Sequence, residues 1–258
     1  MKSAEISNPG VAHALAVRPV PVDRAWTWLG AAWSDLRRAP LVTLLYGAAI
    51  VIVSYGLLFL VSQVELFYLV LPLTGAFFLL GPLLALGLYE TSRRLAAGQP
   101  ASVRAAFTSW LGSGQVAIFG FLLIILHLAW VEAALLLFAL HFGLHPPSPE
   151  RLLEAAFVDP GSLLFLVTGV VVGAPFAVMT FAISAVSVPL MLERDCDVAT
   201  AVLTSLHAVI VNWRAMTLWA VLIVGFTGFG FATAFFGLAL VLPLIGYATW
   251  HAYKDLVI

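Results

Sequence analysis

Charge is scarce in this sequence: charged residues make up 10% of its 258 positions. A soluble globular protein typically has about 25%. Apolar residues reach 62%, and they form runs of the roughly 20 residues that a bilayer-spanning helix needs. This composition excludes an ordinary soluble domain and predicts one membrane domain. The 12 basic and 13 acidic residues nearly cancel, so no overall field favours nucleic acid as a partner.

Cysteine and catalytic motifs are also lacking. Cys196 is the single cysteine, so an internal disulfide is impossible and no Cys-x-x-Cys pair suggests a thiol-bound metal. The sequence contains no nucleophile–base motif, no glycine-rich phosphate loop and no acidic metal cluster. We therefore predict no catalytic residue, no cofactor and no metal site, and we expect that the protein is not an enzyme.

Hydrophobic periodicity predicts an all-α fold, a polytopic membrane helix bundle with six transmembrane helices. Amphipathic surface helices are predicted over 22–38, 102–111 and 197–210, after a flexible N-terminal tail at 1–21. The order surface helix, span, span then occurs three times in a single membrane domain at 22–258, which predicts three pseudo-repeated hairpins. The predicted spans are 41–63, 66–89, 116–140, 162–192, 215–231 and 234–252.

The basic residues predict the orientation, because they accumulate on the cytoplasmic side of short loops. With six spans, Arg151 alone falls on the outer side, so both termini are expected in the cytoplasm. A five-span alternative moves Lys254 and the Trp250–Tyr253 cluster outward and weakens this asymmetry. The basic residues on the inner side are Lys2, Arg18, Arg24, Arg37, Arg38, Arg93, Arg94, Arg104, Arg194, Arg214 and Lys254.

A Pro-Leu step begins at Pro82, Pro189 and Pro243, each time shortly before charged residues. Such steps can mark the broken helices that form transporter sites near the membrane midplane. Their positions near the cytoplasmic ends favour a structural role, in which proline bends or ends a span. Gly169 and Gly173, four residues apart, are expected to allow close helix contact.

Glu132 is the most unusual residue, because a carboxylate inside an apolar span costs several kcal/mol unless it is paired, hydrated or protonated. It either lines a polar pathway with His127, or reaches the outer interface or a hydrogen-bond partner in a structural role. The five-residue separation places the two side chains about 140 degrees apart on a helix, so they need not touch.

Histidines raise two weaker possibilities. His127 in a span could be an axial haem ligand, but no second span has a central histidine, since His207 lies on a surface helix and His251 at a membrane boundary. His141 and His145 have the spacing of two metal ligands on one helix face. Nearby glycine and prolines favour solvated loop residues instead.

Several short motifs together resemble an uncharacterised bacterial family of six-span integral membrane proteins, domain of unknown function 2189. The resemblance extends from about Trp26 onward and implies a multi-pass protein of the bacterial inner membrane, without supplying a catalytic residue. Relatives are sometimes labelled as cytochrome oxidase subunits. The motifs are Gly81-Pro82-Leu83, Gly87-Leu88-Tyr89-Glu90, Arg93-Arg94, Ser187-Val188-Pro189-Leu190, Ala199-Thr200-Ala201 with Thr204-Ser205, and Trp250-His251-Ala252-Tyr253.

Three functional hypotheses follow. The first is a non-enzymatic accessory, scaffold or assembly component of a membrane complex, whose three surface helices and tryptophan-rich cytoplasmic rim dock partners or lipids. The second is a small transporter or channel with Glu132 and His127 in its pathway. The third is a haem-binding subunit of a respiratory complex. Expected partners are membrane lipids and a larger membrane complex or a second copy of the chain.

Overall fold

The computed structural model describes residues 13–63, 70–109, 113–143 and 160–258. Within these ranges the regular secondary structure is helical, apart from an isolated antiparallel bridge between Val17 and Val257. The all-α prediction is thus confirmed. His145, Arg151, and positions 1–12 of the predicted N-terminal tail, which include Lys2, lie outside the described residues.

The first half of the chain begins with an amphipathic helix and a long apolar one. The amphipathic helix α1 (Arg24–Arg38) is followed at once by α2 (Pro40–Gln63). Four short helices come next: α3 (Val70–Thr74), α4 (Ala76–Leu79), α5 (Gly81–Leu84) and α6 (Leu86–Ala96). The short helix α7 (Val103–Thr108), capped by the Ser102 hydroxyl, precedes the long apolar helix α8 (Gly114–Phe142).

From residue 160 onward the chain forms five helices, α9 to α13. Helix α9 (Pro160–Ser184) and helix α10 (Ser187–Glu193) follow one another with a short break. Helix α11 (Val198–Val211) begins at the Asp197 side chain, which accepts a hydrogen bond from the Thr200 amide. Helices α12 (Trp213–Ala232) and α13 (Leu238–Leu256) are joined by a turn in which Ala234 and Phe235 have positive φ.

Four segments are long and apolar enough to cross a membrane: α2, α8, Leu163–Glu193 and α12. A multi-pass membrane protein is therefore supported, and these segments correspond to the predicted first, third, fourth and fifth spans. Helix α13 is a single helix but ends in Lys254 and Asp255, and much of its surface is buried. The six-span count and the threefold repeat are not confirmed.

The second predicted span differs most from the structure. The sequence predicts one continuous helix over 66–89, whereas residues 70–96 form the four short helices α3 to α6. The break before α5 falls at the Gly81-Pro82 step, with Pro82 in the first helical turn. Proline has no amide hydrogen and its ring clashes with the preceding turn, so a continuous helix is disfavoured there. Pro82 thus marks a real helix break.

The other two prolines behave differently. The break between α9 and α10 falls at Ala185 and Val186, before Pro189, and Ser205 of α11 bridges it by donating to the Ala182 carbonyl and accepting from the Val186 amide. Backbone amide and carbonyl groups that lose their helical hydrogen bonds inside a membrane protein need such partners. Pro243 lies within α13, which continues through it.

Residues 13–21, predicted to be part of a flexible tail, are held across one end of the molecule. The Arg18 amide donates to the Leu256 carbonyl, and the Ile258 amide donates to the Ala16 carbonyl. The Asn212 side chain accepts from the Val20 amide. The segment just before α1 therefore lies beside the C-terminus of the chain.

Helix α13 is the centre of the core and packs against α1, α2, α6 and α12. Trp250, Tyr247 and Tyr253 are among the largest fully buried side chains. Small residues allow the close approach of its neighbours, since a Cβ at Gly47 would overlap the Ala239 carbonyl. Backbone contact between α2 and α13 thus depends on Gly47.

Only one of the two glycines predicted to allow close helix contact does so. A Cβ at Gly173 would approach the ring of Trp130 to 2.9 Å, whereas a Cβ at Gly169 would meet nothing within 4 Å. The close contact in this region is thus between Gly173 of α9 and an aromatic side chain of α8.

Because an alanine methyl group at position 47 would overlap backbone, we expect Gly47→Ala to lower the free energy of unfolding by about 2 kcal/mol. Gly56 lies on the same helix with open space around it, so Gly56→Ala should be neutral or slightly stabilising, as alanine is the better helix former. Thermal unfolding in detergent compares the two variants. Equal melting temperatures would contradict the proposed α2–α13 contact.

Candidate functional site

The most polar part of the structure is the end of the bundle at which α1, α6, α10 and α13 meet, which we call the charged end. At its centre is Asp35 of α1, which is 4% exposed. Its Oδ2 accepts a hydrogen bond from Ser92 Oγ of α6 (2.7 Å) and contacts Nε2 of His251 of α13 (2.8 Å). Arg38 Nη1 lies 4.0 Å from the other carboxylate oxygen. One carboxylate thus connects three helices.

Two further ion pairs stabilise the position of the C-terminal end of α13. Arg24 and Trp28 of α1 both donate to Oδ2 of Asp255, at 2.6 and 3.0 Å. Lys254 donates to Glu193 of α10, and so does the Tyr253 hydroxyl. Helix α13 is therefore held from both sides by charge-assisted hydrogen bonds, which are stronger than neutral ones.

The hydrogen bonds set the protonation of these groups. Burial alone would raise the pKa of Asp255, but the bonds from Arg24 and Trp28 outweigh it and hold that pKa below its usual range. Burial and the bond to Glu193 raise the pKa of Tyr253, so its phenol remains the donor. Burial raises the pKa of the Cys196 thiol, which agrees with an unreactive cysteine.

The motif residues Trp250 and Tyr253 are buried. They are 1% and 0% exposed, so neither can contact a partner, and His251 belongs to the Asp35 network. Among the described residues, Trp213 at the start of α12 is exposed, and so are Trp26 and Trp33 on the outer face of α1. Seven residues apart on one helix face, they suit the headgroup layer of a membrane.

The two residues of the predicted polar pathway lie on different faces of α8. His127 is buried, and its Nδ1 has no hydrogen-bond partner. Glu132 is exposed on the outer surface of the helix, where no described residue pairs with it. The structure therefore does not bring them into one site.

The predicted metal ligands are not gathered either. His141 Nδ1 contacts the Leu137 carbonyl of its own helix at 2.9 Å, and His207 is exposed on α11. Within the described part of the chain, no group of three histidine, cysteine or acidic side chains is positioned to hold a metal ion.

A cavity of about 500 Å³ lies above the charged end, between α9 and α12. Its floor consists of α4 to α6 and α13, and its volume falls within the roughly 300–1,000 Å³ range of small-molecule sites. Phe181 of α9 and Trp213 of α12 lie on its two walls, and Tyr89, Gly246 and Thr249 contribute to its floor. No sequence pattern predicts this cavity, because helices that are distant from one another in the sequence enclose it.

Sequence reasoning also missed Asp35, Ser92, Glu193 and Asp255. A signal existed for Asp35, since it falls on the buried face of α1 that also carries Trp28 and Ala32, at helical spacing. A carboxylate on the apolar face of an amphipathic helix requires a buried partner. The identity of that partner requires the tertiary structure.

These features define a multi-pass integral membrane protein with a polar network at one end. The family model for a predicted integral membrane protein (DUF2189) matches residues 70–193, from α3 through α10, and confirms the expected resemblance over that stretch. The chain is thus similar to this family over residues 70–193, and the family description assigns no activity. No curated protein and no solved structure matched the chain.

We expect Asp35→Leu to lower the free energy of unfolding by about 3 kcal/mol, because Ser92 and His251 lose their buried acceptor. The control Asp23→Leu removes an exposed carboxylate at the start of the same helix. It should change the free energy of unfolding by less than about 0.5 kcal/mol. The double variant Asp35→Leu/Ser92→Ala should lose less free energy of unfolding than the two single variants lose together, because both changes remove the same hydrogen bond. Strict additivity would contradict the network.

The lowered pKa of Asp255 predicts an acid-dependent stability. Its contribution is present above the unfolded-state pKa of about 3.9 and is lost as the pH falls through the lower folded-state value. Between pH 6 and pH 3 the melting temperature should therefore fall less in Asp255→Asn than in the unaltered protein. Asp195→Asn, at an exposed carboxylate, should behave like the unaltered protein. Identical pH profiles for all three would refute this assignment.

Proposed function

We propose that the protein is a non-enzymatic integral membrane protein that acts as an accessory or assembly component of a larger membrane complex. It would bind a membrane-spanning helix of a partner along the exposed face of α8. The observation that carries this proposal is the position of Glu132. It is an ionisable side chain on the outer surface of a long apolar helix.

The surroundings of Glu132 are apolar. Leu128 and Leu136, one turn to either side, are 57% and 62% exposed, and Ile125 and Leu140 continue the same face. Glu132 lies four residues from the midpoint of α8, or about 6 Å along its axis. A carboxylate exposed to hydrocarbon at that depth is costly, and such residues usually face another helix or a polar partner. A partner helix with a basic or hydrogen-bonding side chain would relieve this cost.

The charged end supports the non-enzymatic part of the proposal. Asp35, Glu193 and Asp255 each accept hydrogen bonds from side chains of other helices. These interactions are those expected of a structural role, because each of these three carboxylates already has a donor within the protein. The separation of His127 from Glu132 likewise does not favour a proton or ion pathway along α8.

We further propose six crossings, with both termini in the cytoplasm and the protein in a bacterial inner membrane. The adjacency of Val17 and Val257 supports an even number of crossings. Three basic residues lie at the end where residues 13–21 meet the C-terminal residues: Arg24, Lys254 and Arg194, the last of which donates to the Ile258 carbonyl. Basic residues concentrated at one end are typical of the cytoplasmic side.

A photo-crosslinking residue at Leu128, in full-length protein in native membranes, tests the interface. We expect a defined adduct with another membrane protein or a second copy, and expect it to disappear in Glu132→Leu. Phe59 on the exposed face of α2 serves as the control position, and should give only lipid adducts. Persistence of the adduct in Glu132→Leu, or no protein adduct from Leu128, would overturn the proposed interface.

A further inference from the structure

We propose that the cavity between α9 and α12 holds an acyl chain of an anionic membrane phospholipid, whose phosphate group lies beside Arg214. This inference goes beyond the proposed accessory role and concerns a different surface. It rests on where the cavity opens, on the chemistry of its walls and on the charge beside it.

The cavity lies between two segments long and apolar enough to cross a membrane, Leu163–Glu193 and α12. The wall residues Val178, Val221 and Val224 are more than half exposed on the outer surface of the bundle, where a membrane protein faces hydrocarbon. The medium at this opening is therefore the acyl chains of the bilayer. A space next to them is filled by hydrocarbon, because unfilled volume forfeits dispersion contacts.

Two of the hydroxyl groups in the walls are already engaged. The Ser184 hydroxyl donates to the Thr180 carbonyl and the Thr249 hydroxyl to the Ile245 carbonyl, each within its own helix. Most of the remaining lining consists of aliphatic and aromatic side chains, among them Phe181 and Ile223. Such a wall fits a methylene chain and offers little to a polar solute.

Headgroup selectivity comes from the charged end. Arg214 begins the first turn of α12, with its guanidinium 5.2 Å from the centroid of the cavity-lining Trp213 ring. It is exposed, and no described carboxylate pairs with it. Asn212, two residues before Arg214, binds the N-terminal segment, so Arg214 lies at the level of the charged end. An unpaired guanidinium at that level is complementary to a phosphate oxygen.

The two parts of the proposed site have different roles. A lipid chain that moves from the bilayer into the cavity exchanges one apolar environment for another, so burial alone gives little affinity. Shape then determines whether a chain enters, and Arg214 determines which headgroup is preferred. Each part can be altered separately.

Native mass spectrometry of the full chain, reconstituted with equal amounts of phosphatidylglycerol and phosphatidylcholine and then released in mild detergent, tests both parts. We expect bound phosphatidylglycerol on the unaltered protein. Ala220→Phe fills the cavity from α12 and should remove most of the bound lipid, whereas Ala117→Phe, on the exposed face of α8, should not. Ala177→Leu narrows the opposite, exposed wall and repeats the test if Ala220→Phe does not fold.

Arg214→Gln should lower the phosphatidylglycerol preference by about fivefold, the effect of one basic residue near an anionic headgroup. Arg37→Gln removes an exposed arginine of α1 and should leave the preference unchanged. No retained lipid, equal retention in Ala220→Phe and Ala117→Phe, or a bound apolar molecule other than a phospholipid would overturn the acyl-chain site. An unchanged preference in Arg214→Gln would overturn the headgroup contact.

Discussion

The hydrogen-bonded carboxylate of Asp35 is the interaction on which the arrangement of the chain depends. Burying a charge is unfavourable unless other groups satisfy it, and here Ser92 and His251 do so from two other helices. Helix α1 can therefore dock only where α6 and α13 already meet. The ion pairs of Asp255 and Glu193 extend the same constraint along α13, so the charged end fixes the relative positions of four helices.

Away from the charged end, packing imposes fewer constraints. Lipid tails are as apolar as leucine side chains, so membrane helices gain little by closing every gap between them. Helix α8 presents much of its length to the outside, and α9 and α12 stand on opposite sides of a cavity. The two proposed binding surfaces, around Glu132 and in the cavity, both occur in this less constrained region. A rigid polar end thus supports an apolar part that is available for partners and lipid.

The sequence predicts helices whose signals lie in neighbouring residues. It does not predict features that depend on contacts between residues distant in the sequence. Helix α2 follows from the length of its apolar run, and helix α11 follows from the spacing of apolar residues over 197–210. The division of residues 70–96 into four short helices cannot be predicted in this way, because the sequence around Pro82 is equally compatible with one span that bends near its end. Residues 13–21 read as a tail, because their partners, such as Asn212, are almost two hundred positions away. The burial of Trp250 and Tyr253 does not follow from the sequence either, because interfacial and buried aromatic clusters have the same composition.

Hydrogen–deuterium exchange of the full chain in lipid nanodiscs tests the central role of the charged end most directly. The final part of α13, residues 247–256, lies near the charged residues of the membrane boundary, and water can reach that level. If the Asp35, Asp255 and Glu193 contacts hold it as described, its amides should exchange far more slowly than those of α7, which lies at the same end with few buried residues. Exchange of 247–256 as fast as that of α7 would contradict the account.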